Sequence, residues 1–242
     1  MEPWSVELSL VIPVYNEREN VRPLWDAVRP VLEQTRRSWE VLLVDDGSTD
    51  GGTEEMAALR RDEPRVRVIR IDRNRGQSAA FAIGFRHARA PVIVTMDADL
   101  QNDPHDIPLL LEALADADLA IGWRHERRDP FLKRVSSRIA NSVRRGLVGD
   151  PFHDVGCSLK AFRRDVVPHL VPFRGVHRFF PILAVMAGFR VREVKVRHHP
   201  RLRGKAKYGV LNRLVSPLVD CFGVRWLRRR YVGSVTGKEL DG

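Results

Sequence analysis

The sequence predicts an α/β protein built on a mostly parallel β-sheet with helices on both of its faces. Nearly continuous runs of Val, Ile and Leu recur along the first half of the chain, and helical stretches separate them. Strands of a parallel sheet have this pattern because helices bury both of their faces. With 242 residues, of which 43% are hydrophobic, the chain can bury a substantial core, as one large domain or two small ones.

The predicted strands are short segments rich in β-branched residues and leucine, which favour buried, extended backbone. They are LSLVIPVY (8–15), WEVLLVDD (39–46), VRVIRI (66–71), PVIVTM (91–96) and DLAIG (118–122). The helices between them are expected at about 17–34, after the turn DGSTDGG (46–52), at 76–87 and at 104–115. This alternation of strand and helix is typical of a parallel sheet.

Polar residues follow each of the first four predicted strands. They are Tyr15, Asn16 and Glu17 after the first, Asp45, Asp46 and Ser48 after the second, Arg73, Asn74 and Gly76 after the third, and Asp97, Asp99 and Gln101 after the fourth. A turn or a helix cap explains any one of these groups alone. Together they indicate a ligand site, because ligands of open parallel sheets bind beyond the carboxyl ends of the strands.

Asp97 and Asp99 give this site its clearest chemical indication. On an extended strand they would lie on the same side, since side chains alternate between the two faces, and like charges that close repel. An ordinary turn after the strand is the alternative, since Asp is common in turns. Hard divalent cations prefer oxygen ligands and bridge carboxylates to phosphates, so the strand ends predict a metal and a nucleotide diphosphate. The chain has no GxxxxGKS or GxxxxGKT loop and no GxGxxG turn, which argues against P-loop and dinucleotide-binding proteins.

Positive charge is concentrated in two windows of the chain, whose formal net charge is +10. Residues 124–147 hold eight Lys/Arg against two Asp/Glu, and residues 190–230 hold thirteen against two. Such segregation predicts an anionic partner, which is phosphate, nucleic acid or acidic lipid. A nucleic-acid-binding domain would account for these windows, but it would not account for the acidic strand ends, and no recognition motif is evident.

The sequence shows neither a secretion signal nor a membrane span. Its best apolar run, FFPILAVMAGF (179–189), is shorter than the roughly 20 residues that cross a bilayer. The N-terminus has no basic start before an apolar stretch. Cys157 and Cys221 have neither CxxC nor zinc spacing and do not suggest a disulfide framework. We therefore expect a reducing, cytoplasmic location.

Six blocks of sequence resemble those of family 2 glycosyltransferases. In chain order they are VIPVYNERENV (11–21), VLLVDDGSTD (41–50), NRGQSAAFAIGF (74–85), MDADLQNDP (96–104), DVGCSLKAFRR (154–164) and RLRGKAKYG (201–209). The set is most similar to the polyprenyl-phosphate branch, which includes dolichol-phosphate mannose synthase and undecaprenyl-phosphate sugar transferases. The resemblance implies a nucleotide-diphospho-sugar transferase (GT-A) fold, a GDP- or UDP-sugar donor, a polyprenyl phosphate acceptor, no nucleic-acid partner, and Mg²⁺ or Mn²⁺ as the cofactor.

The resemblance also implies roles for individual residues. The nucleotide-sugar site would comprise Pro13, Tyr15, Glu17, Val44, Asp46, Asp97, Ala98, Asp99, Arg201 and Lys207. The metal ligands would be Asp97, Asp99 and Gln101. The catalytic set would be Asp99, Arg124, Arg201 and Lys207, and the lipid phosphate would bind Arg124, Arg138 and Ser142. The metal and the two clamp residues Arg201 and Lys207 would offset the negative charge on the departing nucleoside diphosphate.

The implied reaction is the transfer of a sugar with inversion, in a single displacement. A lipid phosphate oxygen is already anionic, so this acceptor needs no general base. For a hydroxyl acceptor, such as a glycan or a small molecule, Asp154 is the candidate base, and capping or orienting an arginine is its alternative role. A nucleotidyltransferase would usually carry a Gly- and Lys-rich loop where this chain has VYNEREN. A non-catalytic subunit is a further alternative, although DADLQ is intact.

The predicted organisation is a catalytic domain over residues 1–210 followed by an amphipathic basic segment over 211–242. Residues 131–147 are predicted to form an interfacial helix, since an apolar ladder runs beside arginines, and packing on the core is the alternative. The ladder comprises Phe131, Val135, Ile139, Val143 and Leu147. The cluster RWLRRR (225–230) favours anionic headgroups. Much of the branch has a C-terminal transmembrane pair that this sequence does not show, so we expect peripheral attachment to the cytoplasmic face of the membrane, directly or through a membrane-anchoring partner.

Overall fold

The computed structural model describes residues 6–125, 144–200 and 212–233, with side chains in the last range described from residue 218. The strands are β1 (Leu8–Val14), β2 (Trp39–Asp45), β3 (Val66–Arg70), β4 (Val92–Thr95), β5 (Leu119–Arg124), β6 (Lys160–Arg163) and β7 (Val191–Val196). The helices are α1 (Arg18–Gln34), α2 (Gly52–Asp62), α3 (Gln77–His87), α4 (Ile107–Ala113), α5 (Phe180–Met186) and α6 (Asn212–Arg230). Residues 144–148 are also helical.

The strands form one sheet in the order β3-β2-β1-β4-β6-β5-β7. Neighbouring strands run parallel except at β6, which pairs antiparallel with both β4 and β5. The predicted mostly parallel sheet is therefore confirmed. Because β6 runs the opposite way, the residues just before it lie at the same edge of the sheet as the residues just after β4 and β5.

Helices cover both faces of the sheet, as predicted. Alternate residues of β1 divide between two core clusters, so that Leu10 and Ile12 pack with α1, α2 and α4 while Val11 packs with α3 and α5. Gly84 lets α3 lie directly on the sheet, since a Cβ there would be 2.3 Å from Cγ1 of Val11. Any larger residue at this position would push the helix away from the strands.

The first five strands and the first three helices agree with the predicted segments to within a few residues. The predicted helix at 104–115 is shorter, because a 3-10 turn at Pro104–Asp106 precedes α4. The strands β6 and β7 and the helix α5 were not predicted. The predicted interfacial helix lies outside the described residues except for 144–147, which are helical.

The last described helix, α6, has one buried and one exposed side. Cys221 and Val224 are buried in the second core cluster, whereas Phe222 and Trp226 are exposed. The inner side of α6 thus belongs to the core of the catalytic domain, and the division at residue 210 stays a prediction. In the part of the chain that the structure describes, no helix combines the length and the apolar character needed to cross a bilayer.

Candidate active site

An open cleft lies at the carboxyl ends of β1, β2 and β4. Its lining comes from the segments that follow the first four strands and comprises Pro13, Val14, Tyr15, Glu17, Asp46, Asn74, Gln77, Asp97, Ala98 and Asp99. Nearly all the predicted nucleotide-sugar residues in the described part of the chain are therefore brought together. Val14, Asn74 and Gln77 line the cleft in addition to them, and of these three only Asn74 is among the polar residues that follow a predicted strand.

Hydrogen bonds fix the two loops at the first edge of the cleft. The backbone N–H of Asn16 donates to the Ser48 hydroxyl (3.0 Å), and the Asn16 side-chain oxygen accepts from the N–H of Thr49 (2.8 Å). Gly47 has φ +73°, and a Cβ there would lie 2.6 Å from the backbone of Arg73. Only glycine suits this conformation and this close approach. The DDGS turn, which follows β2, thus contacts the loop after β1 on one side and the loop after β3 on the other.

The carboxylate of Asp46 organises the loop after β3. It is buried and accepts hydrogen bonds from the N–H groups of Arg75 (2.7 Å) and Gly76 (2.8 Å) and from the side-chain amide of Asn74 (3.0 Å). Burial raises the pKa of Asp46, although the two backbone donors act in the opposite direction. Asp46 therefore lines the cleft and also fixes the loop after β3, which forms part of the cleft wall.

Asp97 and Asp99 both face the cleft, but they do not continue an extended strand. β4 ends at Thr95, and the chain then bends, with Leu100 at a positive φ of 62°. The two carboxylates nevertheless face the same cleft, as expected for side chains on one side of the backbone. Asp97 accepts a hydrogen bond from the Gln77 amide (2.5 Å). Burial and the neighbouring Asp99 raise the pKa of Asp97 to about 6.

This pair of carboxylates fits a hard divalent cation. Both supply oxygen ligands, and a cation would relieve the repulsion that raises the pKa of Asp97. Within residues 6–125, 144–200 and 212–233, no group of three or more His, Cys, Asp and Glu side chains forms a complete metal site.

Arg124 and Asp154 form a bidentate ion pair at the end of β5. Nε and one terminal nitrogen of Arg124 donate to the two Asp154 oxygens at 2.7 and 2.9 Å. Burial disfavours the charged guanidinium, but the ion pair outweighs it and raises the pKa of Arg124. The charge of Arg124 also acts on Asp97. The geometry favours the second predicted role of Asp154, which is to orient an arginine, while its role as a base stays a prediction.

Val44 and Gln101, like Arg124 and Asp154, are not among the residues that line the cleft. The side chain of Val44 is completely buried in β2, where it packs in the core cluster that contains α3, so the place of Val44 in the nucleotide-sugar site stays a prediction. Alternate residues of a strand covered on both faces point into opposite cores, and Val44 points into one of them. Gln101 turns towards the loop after β7, where its side-chain amide donates to the His199 carbonyl (3.4 Å). Its role as a metal ligand stays a prediction. Arg138, Ser142, Arg201 and Lys207 lie outside the described residues.

The fold is similar to that of solved glycosyltransferases. Glucosyl-3-phosphoglycerate synthase from Mycobacterium tuberculosis, in complex with Mn²⁺, UDP-glucose and phosphoglyceric acid, matches with a TM-score of 0.66 and 19% identity, over 91% of this chain and 81% of that chain. Its complex with Mg²⁺ and UDP matches with a TM-score of 0.67 and 18% identity, over 91% and 80%. The fold is therefore of the GT-A type.

Sequence comparison gives the family within this class. The profile of Glycosyl transferase family 2 matches residues 9–171. A dodecaprenyl-phosphate galacturonate synthase from Rhizobium johnstonii is 38% identical over 231 residues, which are 93% of this chain and 68% of that protein. An undecaprenyl-phosphate 4-deoxy-4-formamido-L-arabinose transferase from Pseudomonas aeruginosa is 37% identical over 233 residues, 94% of this chain and 69% of that protein. The chain belongs to glycosyltransferase family 2 and is an enzyme, which confirms the resemblance and sets aside the other protein classes considered for the sequence.

Proposed function

We propose that this enzyme transfers a sugar from a nucleotide-diphospho-sugar to a polyprenyl phosphate at the cytoplasmic face of a membrane, with inversion at the anomeric carbon. The observation that carries this function is a guanidinium, Arg124, held by Asp154 beside a cleft lined by Asp97 and Asp99. The carboxylates suit a metal-bound diphosphate, and the fixed guanidinium suits an anionic acceptor. The names of the two relatives, which specify polyprenyl phosphates, support the same acceptor.

The donor would bind in the cleft, with its nucleoside between the loops that follow β1 and β2. Tyr15, Glu17 and Asp46 line that part of the cleft. Asp97 and Asp99 would hold Mg²⁺ or Mn²⁺, which supplies Lewis-acid stabilisation to the diphosphate as it leaves. The solved neighbours with Mn²⁺ or Mg²⁺ and a uridine nucleotide support this assignment.

Arg201 and Lys207 are proposed to close over the diphosphate. Two hydrogen bonds join His199, which precedes this pair, to Gln101, which follows Asp99. The backbone N–H of His199 donates to the Gln101 carbonyl (2.9 Å), and the side-chain amide of Gln101 donates to the His199 carbonyl. Arg201 follows His199 by two residues in the sequence. This connection supports the proposed clamp.

The acceptor would bind on the side of Arg124, and Arg138 and Ser142 are proposed to complete its site. An oxygen of the lipid phosphate attacks the anomeric carbon, and the bond from that carbon to the donor diphosphate breaks, with its electron pair leaving on the nucleoside diphosphate. No proton has to be removed from an ionised phosphate. Both Asp154 oxygens already accept from Arg124, so this carboxylate is better suited to hold the guanidinium than to take a proton.

The exposed side of α6 supports contact with a membrane. Leu218, Val219, Phe222 and Trp226 are 42–64% exposed there, and the exposed arginines Arg229 and Arg230 follow on the same helix. Apolar side chains can enter the headgroup region while arginines bind lipid phosphates. The 131–147 helix and the basic segment 211–242 are proposed to form the membrane-facing part of the protein, next to a catalytic domain within 1–210.

A panel of nucleotide sugars incubated with the protein and a short polyprenyl phosphate in vesicles tests this function. We expect one donor class to give a sugar phosphate lipid with inverted anomeric configuration, and EDTA to abolish its formation. A product that retains the anomeric configuration, or full turnover in EDTA, would contradict the inverting or metal-dependent reaction. Transfer only to hydroxyl acceptors would favour Asp154 as a base instead.

A further inference from the structure

Arg197 lies just beyond β7 and joins this strand to the segment that follows β4. Its backbone N–H (2.6 Å), its Nε (3.0 Å) and one terminal nitrogen (2.9 Å) donate to the two carboxylate oxygens of Asp106. The other terminal nitrogen lies 3.1 Å from an oxygen of Asp103. One guanidinium thus binds two carboxylates, and none of the proposed steps uses it.

Both of these carboxylates are buried, since Asp103 is 7% exposed and Asp106 is 2% exposed. Burying a carboxylate is costly unless it is paired and hydrogen-bonded. Within the described part of the chain, every hydrogen bond to the carboxylate of Asp106 comes from Arg197. Asp103 has further partners, because it is also hydrogen-bonded to His105 and His199. Arg197 is therefore the main compensation for the buried charge of Asp106.

The two aspartates lie at the far end of the loop that carries the proposed metal ligands. This loop runs from Asp97 through Asp99 to Asp103, whose side chain caps the 3-10 turn that follows. The backbone of Asn102 also forms an antiparallel bridge with His198. The loop is thus attached to β4 at its first residue and to the end of β7 at its last.

Leu100, in the middle of this loop, has a backbone conformation that needs support from its surroundings. Its φ of 62° lies in the left-handed region, which residues other than glycine seldom adopt and which persists where neighbouring structure holds it. The contacts of Arg197 with Asp103 and Asp106 belong to that structure. Without them the loop is free to relax, and Asp99 moves with it.

We infer that Arg197 is a positioning residue for the donor site, because by binding Asp103 and Asp106 it holds the loop in the conformation that directs Asp97 and Asp99 into the cleft. A planar guanidinium can bind two carboxylates at once, whereas the ammonium of a lysine is a point charge and does not reproduce this fork. The effect on metal and nucleotide rests on the proposed function, while the effect on the loop does not.

Amide hydrogen exchange of the protein without ligands tests the effect on the loop. In Arg197→Gln we expect the backbone N–H groups of residues 97–103 to exchange at least about threefold faster than in the wild type, and Arg197→Lys should not restore slow exchange. Arg192→Gln is the matched control, because Arg192 lies on the same strand and its ion pair with Asp116 (3.4 Å) is exposed. Wild-type exchange of residues 97–103 in Arg197→Gln would overturn the inference.

Calorimetric titration with Mn²⁺ together with UDP or GDP tests the effect on the donor site. Substitution of residues that support metal ligands typically lowers metal affinity 10- to 100-fold, so we expect Arg197→Gln to weaken this binding by about tenfold. Asp106→Asn should weaken it by a similar factor, and the double variant should lose no more than either single one, because both remove the same contact. The KM for polyprenyl phosphate should stay nearly unchanged. Arg192→Gln should keep the wild-type affinity.

The outcomes separate this role from the proposed function. Equal affinities of the wild type and Arg197→Gln, or losses that add in the double variant, would overturn the role of Arg197 alone. Failure of the wild type to bind Mn²⁺ with UDP or GDP would contradict the proposed function, and hydrogen exchange would still decide whether Arg197 holds the loop. If Arg197→Gln does not fold, Asp103→Asn leaves the pair with Asp106 in place and should show faster exchange and weaker binding in the same two experiments.

Discussion

Carboxylates of the same type have different tasks in this protein because their neighbours differ. Asp45 and Asp46 accept hydrogen bonds that fix loops, with Asp45 bound to Ser48 and Thr53. Asp154 is engaged by a guanidinium. Asp97 and Asp99 face an open cleft instead, where a cation can reach them. The surroundings of each carboxylate thus separate the aspartates that fix the structure from the two that are proposed to bind the metal.

Substitution of Asp99 or Asp97 by Asn should abolish metal-dependent transfer while retaining the fold. Each change removes a charged ligand without changing the shape of the side chain, and we expect a loss of at least about 100-fold in kcat. Initial rates with added Mg²⁺ or Mn²⁺, together with circular dichroism, measure this. Asp116→Asn, at an exposed position, is the control and should retain activity. Wild-type turnover by Asp99→Asn would remove this residue from the metal site.

Asp154→Asn should weaken use of the lipid acceptor more than binding of the donor. The change removes a charge-assisted bidentate contact that holds Arg124, and such contacts contribute about 1.5–3 kcal/mol. We expect the KM for polyprenyl phosphate to rise about 10- to 100-fold, with nucleotide affinity nearly unchanged. Steady-state kinetics and nucleotide titration distinguish the two. A collapse of kcat confined to hydroxyl acceptors would show that Asp154 is a base.

Sequence reasoning found the residues at strand ends because the direction of parallel strands brings their carboxyl ends together. It did not foresee that the side chain of Val44 is buried, since a strand covered on both faces gives no indication of which side chains reach a cleft. It also passed over Lys160, although a lysine between apolar neighbours in SLKAF was visible. A lone lysine in a strand normally points to solvent, and only the pairing of β6 between β4 and β5 shows that this one cannot.

Among the secondary-structure elements, β6 was the hardest to anticipate, and the residues that precede it include Asp154, which holds Arg124. It has only four residues, runs antiparallel to its neighbours and separates two strands that are closer in sequence to each other than to it. Local pattern predicts the alternating first half, but the insertion of β6 depends on contacts between distant segments. The position of α6 likewise depends on distant contacts, since Arg225 and Arg228 donate hydrogen bonds to carbonyls at the end of the helical residues 144–148.

Arg228→Ala should loosen the contact between α6 and residues 144–149. Nη1 of Arg228 donates to the carbonyls of Val148 (2.6 Å) and Gly149 (3.0 Å), which end that helical segment. Loss of these bonds should lower the free energy of unfolding by about 0.5–1.5 kcal/mol, measured by urea denaturation. The exposed neighbour Arg229→Ala is the matched control, with an expected change within about 0.5 kcal/mol. Equal effects of the two substitutions would show that the contact is not specific.

At the scale of the whole molecule, charge and apolar surface are concentrated in the segments proposed to face a membrane. The acidic strand ends form the cleft, whereas the basic windows cover residues 124–147 and 190–230. An enzyme that joins a water-soluble donor to a lipid acceptor needs this separation. Binding that combines arginines with a few apolar side chains is reversible and weakens with salt.

Replacing Phe222 and Trp226 with Ser should reduce binding to anionic vesicles and turnover of a lipid acceptor. Both side chains are more than half exposed on α6, so the folded state should tolerate the change. Vesicle co-sedimentation at low and high salt measures the effect, and donor affinity should stay constant. Leu109→Ser, an exposed apolar residue on α4, is the control. If residues 131–147 form an interfacial helix, the double variant Val135→Ser with Ile139→Ser should reduce vesicle binding in the same way. Normal vesicle binding by both double variants would mean that the protein contacts the membrane through other residues.

The antiparallel entry of β6 has a consequence for how the two substrates influence each other. Because the residues that lead into β6 accept a hydrogen bond from the Thr95 hydroxyl at one end and hold Arg124 at the other, we expect a small shift on binding the donor to reach the acceptor arginine through the backbone of residues 154–158. We therefore expect thermodynamic linkage between the two ligands. By reciprocity, any factor by which the bound nucleotide sugar tightens the lipid phosphate must equal the factor by which the lipid phosphate tightens the nucleotide sugar.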